Sequence, residues 1–225
     1  MCLIHHAAAF VKPNSKSVGT EPMNDYQQEQ WDALGQIVEK IGSIASIHDG
    51  EDCRAIRSYI RYRKQLDAFL TRHFGRFCTQ TCFADRTSAC CSKDGIITFW
   101  ADAVVNVCHS TKDQIDDLFA AIQEPLWPHK CIYLGENGCR WQVRPVGCAL
   151  FLCDAVQADV LEPHPELSSQ WNSFTEAAKR FRWPDRPVLF DRLEQVFMSV
   201  GCRSTLMYIN TSPGLLHIKR KAGLP

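Results

Sequence analysis

Nine cysteines lie within one stretch, residues 78–153, and eight of them, all but Cys108, constrain the fold more than any other feature of the chain. They form two groups, the first being Cys78, Cys82, Cys90 and Cys91 and the second Cys131, Cys139, Cys148 and Cys153. Thiolates are strong ligands for zinc and iron, and a thiol that binds a metal loses its proton. In a reducing compartment, such clustering therefore predicts that this stretch folds around a metal.

The N-terminal residues predict the cellular compartment of the protein and thus the redox state of its cysteines. No basic residue precedes the short apolar stretch in MCLIHHAAAF, and no small-residue cleavage site follows it. We therefore expect no export signal, a cytoplasmic protein, reduced thiols and no disulfide framework. The remaining four cysteines are interpreted as a terminal thiol or as small buried side chains, namely Cys2, Cys53, Cys108 and Cys202.

Composition predicts an ordinary globular protein. The chain has 225 residues, of which 45% are hydrophobic and 22% charged, and no run approaches the roughly twenty apolar residues that cross a bilayer. Basic and acidic residues number 25 each, so no global field favours nucleic acid or a membrane surface as partner. We predict a flexible leader at residues 1–24 and one helical domain at residues 25–225, with the cysteine-rich region at residues 77–154 inside it.

Helical periodicity dominates the chain before the cysteines. Apolar residues recur at intervals of three and four from residue 25, namely Trp31, Leu34, Val38, Ile41 and Ala45. A second helix is predicted at residues 53–73 and should end at Gly75. Its basic string consists of Arg54, Arg57, Arg61, Arg63 and Lys64. We interpret these residues as a largely solvent-exposed face of the helix rather than a phosphate site.

Helices are also predicted between and after the two cysteine groups. Ser110 or Thr111 is a suitable N-cap for one of them. A later helix should follow Pro187, with Leu189, Leu193, Phe197 and Val200 inward. Residues around 210–214 are β-prone and predict a hairpin or a tail laid on the body of the protein, and residues 219–221 predict a solubilising basic end. The fold class is therefore mainly α, with little β, and with helices enclosing an irregular, loop-built metal centre.

Spacing within the cysteine groups predicts some of their geometry. Cys78 and Cys82 are four residues apart, so a helical turn puts both sulfurs on one face, whereas adjacent Cys90 and Cys91 point to opposite sides of an extended segment. This favours two sites or one polynuclear cluster. In the second group, glycines and prolines break regular structure, and the five-residue interval after Cys148 predicts a turn or a helix start there.

A motif in the second group predicts a supporting interaction. Pro145 favours an extended conformation at Arg144. The Arg144 guanidinium could then donate to thiolates or loop carbonyls and offset part of the negative charge of a thiolate site.

These residues resemble the YkgJ-type cysteine-cluster family, which is described as a zinc- or iron-chelating domain. The resemblance covers residues 77–154 and is most specific for Cys131, Cys139, the pair Arg144-Pro145, Cys148 and Cys153. The first half of the family pattern is a tighter C-x-x-C-x-x-C-C, which this chain opens to three and seven intervening residues. The resemblance implies metal chelation through the eight cysteines.

Zinc and an iron–sulfur cluster, such as a 4Fe-4S centre, are both candidates for the metal. Zinc would be structural in a closed tetrahedron of sulfurs, and a cluster would support electron transfer or sensing. Eight irregularly spaced cysteines with an adjacent pair favour the polynuclear centre, and the two C-x-x-C knuckles of ordinary zinc ribbons do not occur in the sequence.

The sequence is typical of a metal-binding carrier, sensor or structural module, and it does not identify a protein partner. Two other functions compete with this interpretation. Some members of the family resemble a flagellin lysine methylase, but this chain has no glycine-rich turn for S-adenosylmethionine, and Asp85 occupies the third position of a radical-type C-x-x-x-C-x-x-C motif. A zinc-stabilised nucleic-acid or protein adaptor is disfavoured by the zero net charge. The acid–base candidates near the cysteines are assigned no catalytic role, namely Asp102, His109, His129 and Asp154.

Overall fold

The computed structural model describes residues 22–84, 91 and 97–225, and for residues 81 and 82 it describes the backbone alone. The described chain is mainly helical, which confirms the predicted fold class. The helices are α1 (Asp25–Ile41), α2 (Ala45–His48), α3 (Glu51–Phe77), α4 (Trp100–His109), α5 (Lys112–Gln123), α6 (Val146–Ala149), α7 (Asp154–Val156), α8 (Pro165–Arg182), α9 (Leu189–Ser199), α10 (Tyr208–Thr211) and α11 (Pro213–Lys221). Two short strands, β1 (Leu134–Gly135) and β2 (Gly138–Cys139), form a hairpin. Within the described residues, no helix is both long and apolar enough to cross a bilayer.

Helix α1 begins with a reciprocal cap. The Gln27 backbone N–H donates to Asn24 Oδ1 at 2.9 Å, and the Asn24 N–H donates to Gln27 Oε1 at 3.1 Å. The Gln27 side chain also donates to the carbonyl of Ile122 at 2.6 Å, which fixes α1 against the end of α5. Helix α5 has the same kind of cap, with Thr111 as the N-cap, one of the two residues predicted for that role.

Helix α3 runs past the predicted stop at Gly75 to Phe77, so that prediction was wrong. The glycine keeps a right-handed helical backbone, and the Cys78 N–H donates to the carbonyls of Phe74 and Gly75. A glycine inside a helix costs about 1 kcal/mol relative to alanine. Burial of Phe69 and Phe74 offsets this cost, and the chain then continues through a π-helical turn, Cys78–Phe83.

Helix α4 is the centre of the main core. Nearly all of its side chains are buried between α1 and α9, and the Trp100 and Phe197 rings meet edge to face at 5.4 Å. On the other side of α1, the Trp31 ring packs on Phe119 of α5 at 4.7 Å. A second cluster lies at the C-terminal end of α3, where Phe69, Phe74, Val156 and Leu161 pack together.

The C-terminal residues are helical instead of the predicted hairpin, and they lie on the body of the protein, which was the alternative prediction. They form α10 and α11, and Pro213 takes the first turn of α11, where its missing N–H carries no cost. Lys219 was predicted to be part of a solubilising end, but it is 2% exposed, and its Nζ contacts Asp191 Oδ1 at 2.8 Å and Asn210 Oδ1 at 2.9 Å. Residues 220 and 221 are exposed as predicted.

A second carboxylate completes this buried polar group. Glu194 lies on α9, one turn after Asp191, and accepts the backbone N–H groups of Ile209 at 3.3 Å and Asn210 at 3.1 Å. The Asn210 side-chain amide donates to Glu194 at 2.8 Å and to Asp191 at 3.2 Å. We call Asp191, Glu194, Asn210 and Lys219 the C-terminal lock, because they fix α10 and α11 to α9.

The lock predicts a pH dependence of stability. Burial raises the pKa of Glu194 from 4.5 to about 7, so the folded protein binds a proton more tightly than the unfolded chain does. The stability that Glu194 contributes is therefore fully present below about pH 4.5 and is lost as the pH rises through about 7. Between pH 4.5 and 8, the free energy of unfolding of the natural protein should fall by about 3 kcal/mol more than that of Glu194→Gln. Chemical denaturation at both pH values measures this difference, and parallel pH profiles would contradict the assignment.

Candidate metal centre

A tight hairpin positions two of the predicted metal-binding cysteines. Leu134 pairs with Cys139, and Gly135 pairs with Gly138, on either side of a two-residue turn. Gly138 has φ +104°, a left-handed conformation that a residue with a Cβ atom rarely adopts. The hairpin therefore returns Cys139 to the segment that directly follows Cys131.

The thiol of Cys131 lies in a buried environment near two other cysteines. Burial raises the pKa of this thiol to about 12, and the neighbouring Cys139 and Cys148 add to the rise. The backbone N–H groups of Tyr133 and Leu134 oppose the rise, and the Leu134 N–H donates to the Cys131 carbonyl at 3.0 Å. Thiol side chains from three parts of the second cysteine group thus interact electrostatically. Because N–H donors stabilise a thiolate, this environment suits a sulfur that becomes charged when a cation binds.

A backbone hydrogen bond joins the first cysteine group to the second. The Cys131 N–H donates to the carbonyl of Cys91 at 2.9 Å. Cys91 is partly buried against the main core, to which Cys131 also belongs. The structure therefore places Cys91, Cys139 and Cys148 in the neighbourhood of Cys131.

Cys148 lies in the short helix α6, directly after the Arg144-Pro145 pair. Pro145 is the N-cap of α6, with φ −49° and ψ 141°. The predicted turn or helix start at Cys148 is confirmed. A Cβ atom at Gly147 would lie 3.3 Å from the carbonyl oxygen of Ile97, so this loop packs closely against the residues before α4.

Three buried side chains hold the backbone of residues 143–146 in front of Cys148. Asn106 Oδ1 accepts the Val143 N–H at 2.9 Å, and Asp102 Oδ1 accepts the Val146 N–H at 3.0 Å. Arg63 Nη1 donates to the carbonyl of Arg144 at 2.6 Å. We call Arg63, Asp102 and Asn106 the loop clamp. Since Pro145 has no N–H, the clamp satisfies a large share of the polar backbone groups of this segment.

Charge complementarity stabilises the clamp. Arg63 is 1% exposed and also contacts Tyr59, whose hydroxyl accepts from Nη1 at 3.1 Å and whose ring lies 5.7 Å from the guanidinium carbon. Burial raises the pKa of Asp102 to about 6, and hydrogen bonds and the Arg63 charge oppose this rise. Sequence reasoning missed the clamp, although an aspartate and an asparagine four residues apart on an apolar helix were a visible signal.

Arg144 makes a different contact from the one predicted. Its Nη2 lies 3.2 Å from Asp67 Oδ1 on α3, and its side chain is 38% exposed. The Arg144 carbonyl, rather than the guanidinium, is the group held by the loop clamp. The predicted donation from the guanidinium to thiolates stays a prediction.

Cys153 and Cys78 are associated with the second cluster. Cys153 is the N-cap of α7 and packs against the cluster of Phe69, Phe74, Val156 and Leu161. Cys78 is exposed at the junction of α3 and the π-helical turn, and the preceding Phe77 packs on the same cluster. Cys90 and the side chain of Cys82 lie outside the described residues.

The donor set fits a thiophilic metal, but the described part supplies an incomplete shell. Among the described residues, no three His, Cys, Asp or Glu side chains are close enough to hold a metal by themselves. Tyr26 adds one supporting observation, because its hydroxyl is buried and has no hydrogen-bond partner among the described residues. Burial raises the pKa of Tyr26, and Cys131 and Cys148 raise it further, so the hydroxyl lies within electrostatic range of both sulfurs. A thiolate at either position would offer this donor an acceptor.

The four remaining cysteines were predicted to be outside the site. Cys108 and Cys202 are each 2% exposed, and burial raises the pKa of the Cys108 thiol to about 12, which confirms them as core residues. Cys53 is fully buried as predicted, but it is disulfide-bonded, contrary to the expectation that the thiols are reduced. Cys2 lies outside the described residues.

Comparison of the chain with protein-family models, with curated proteins and with solved structures gave no match. The case for a metal centre therefore depends on the residues of this chain and their geometry.

Proposed function

We propose that the protein binds zinc or an iron–sulfur cluster through eight of the nine cysteines of residues 78–153, all but Cys108, and acts as a redox, sensor, carrier or structural metal module in the cytoplasm. The observation that carries this proposal is the environment of Cys131. Its thiol interacts electrostatically with Cys139 and Cys148, the nearby backbone N–H groups of Tyr133 and Leu134 favour its thiolate form, and its own N–H donates to the carbonyl of Cys91. Groups of thiols with N–H groups nearby suit thiophilic metals.

An iron–sulfur cluster is favoured over zinc, since irregular spacing and an adjacent cysteine pair suit a polynuclear centre. The cysteines also divide between two environments, with Cys91 and Cys131 on the main core and Cys153 on the second cluster. This division supports a centre that bridges both environments, or two separate centres.

Alanine substitutions test the ligand assignment. Cys131→Ala, Cys139→Ala and Cys148→Ala should each weaken binding of Co²⁺, used as a spectroscopic substitute for zinc, by at least about tenfold. Each should also reduce the iron retained after anaerobic reconstitution with ferrous iron and sulfide. The matched control is Cys108→Ala, because Cys108 is buried in the core and was predicted to bind no metal. If the three variants retained as much iron as the control and their Co²⁺ absorption bands were as intense, the ligand assignment would be contradicted.

A further inference from the structure

A groove runs between α3 and α8, away from the cysteine-rich region in sequence. Its volume is about 590 Å³, within the range of about 300–1,000 Å³ of small-molecule sites. The residues that line it occupy one face of each helix, and they include Arg61 and Tyr62 from α3 and Ser173, Phe174, Arg180 and Phe181 from α8.

Aromatic rings form the apolar part of the groove. The Tyr62 ring lies 5.4 Å from Phe181 and 6.4 Å from Phe174, measured between ring centroids. The Tyr62 hydroxyl donates to the carbonyl of Phe174 at 3.0 Å, which fixes the ring against α8. Because these rings are already held by packing between the two helices, little side-chain entropy is lost when a flat molecule contacts them.

The rim of the groove carries positive charge without a local counter-charge. Arg61 and Arg180 both line it, and both are exposed. Among the described residues, none that lines the groove is acidic, and no carboxylate lies within ion-pair distance of either arginine. The neighbouring Lys179 differs, since it pairs with Glu176 at 2.6 Å.

We propose that this groove binds a small organic anion. The apolar body of the ligand lies against Tyr62, Phe174 and Phe181, and its carboxylate, sulfonate or phosphate group lies between Arg61 and Arg180. Arginine suits this role because its planar guanidinium donates two parallel hydrogen bonds to such groups. The basic string of α3, predicted from sequence to be a solvated face, thus includes one residue of a binding site. The proposal does not depend on a metal.

A pair of fluorescent probes tests it. The anionic probe is 8-anilinonaphthalene-1-sulfonate, and the neutral probe is N-phenyl-1-naphthylamine, which has the same rings and no sulfonate. With the full-length protein, the anionic probe should bind saturably with one equivalent per chain and more tightly than the neutral one. Arg61→Gln and Arg180→Gln should each weaken binding of the anionic probe by about fivefold, and binding of the neutral probe by less than about twofold.

Two further variants locate the site. Arg57→Gln removes an exposed arginine one turn before Arg61 that does not line the groove, so it should leave both affinities unchanged. Ser173→Trp places a large side chain in the groove and should weaken both probes. Lack of saturable binding by the anionic probe would overturn the proposal. The proposal would also be overturned if Arg57→Gln weakened binding of the anionic probe as much as Arg61→Gln and Arg180→Gln do. It would likewise be overturned if Arg61→Gln and Arg180→Gln weakened binding of both probes equally.

Discussion

Replacing Lys219 by methionine should lower the free energy of unfolding by about 3–5 kcal/mol, because it leaves a buried carboxylate without its cation. The side chains of Lys219 and Asp191 are 2% and 7% exposed, and their charged atoms lie 2.8 Å apart. Glu194, fully buried one turn further along α9, adds a second negative charge to the same interior. Chemical denaturation at pH 8, above the pKa of about 7 to which burial raises the Glu194 carboxyl, measures the loss.

The control for this prediction is Lys221→Met, which removes an exposed lysine from the same helix and should change stability by less than about 0.5 kcal/mol. The double variant Lys219→Met/Asp191→Leu replaces the buried ion pair by apolar side chains and should recover at least about half of the loss. If Lys219→Met were as stable as Lys221→Met, the C-terminal lock would not hold α11 to α9.

Replacing Arg63 by alanine should cost a similar amount, about 3–5 kcal/mol. The substitution removes the donor to the Arg144 carbonyl and the cation near buried Asp102, and it leaves a cavity beside Tyr59. Because the clamp fixes the backbone in front of Cys148, the variant should also bind metal more weakly than the natural protein does.

Arg57→Ala is the matched control for Arg63→Ala, since it removes an exposed arginine from the same helix. It should change the free energy of unfolding by less than about 0.5 kcal/mol. Denaturant titration of both variants gives the comparison. Equal stability of the two variants would contradict the loop clamp, and a large loss of stability with unchanged metal affinity would separate the clamp from the metal centre.

The sequence predicted the helices well where apolar periodicity and capping residues agree. The predicted stripe holds from Trp31 to Ile41 in α1, but Ala45, predicted on the same stripe, is exposed at the start of α2. That stripe and the Thr111 cap of α5 are local signals, and local signals survive folding when the buried face has a partner to pack on. The predicted helix end at Gly75 was wrong because a glycine also occurs inside helices whose neighbouring side chains are buried. The prediction for Val200 was also wrong, since this residue was expected to face inward but is 37% exposed at the end of α9.

Long-range polar contacts were beyond sequence reasoning. Arg63 lies in a basic string that is otherwise exposed, and its burial depends on the Arg144 carbonyl, 81 residues away. Lys219 lies in a terminal basic run, and its burial depends on Asp191. A single sequence gives the charge of such residues but not their partners, so the commoner solvated state was predicted for both.

The cysteine site was predicted in part by the same reasoning. The turn at Cys148 follows from Pro145 and Gly147, which are local signals. The contact between Cys91 and Cys131 joins residues on either side of α4 and α5, and no spacing rule predicts it. The disulfide at Cys53 was missed because a buried cysteine near a helix start has no distinguishing pattern.

The most direct test of the metal centre is the content of metal and acid-labile sulfide per chain in protein purified without oxygen, together with its absorption spectrum. We predict at least one equivalent of bound metal, with iron and sulfide in nearly equal amounts, about four of each for one 4Fe-4S cluster, and a broad band near about 400 nm. Zinc at one or more equivalents with a colourless spectrum would agree with the structural alternative. Protein that carries no metal, and in which the thiols of the two cysteine groups react freely with a thiol reagent, would contradict the account.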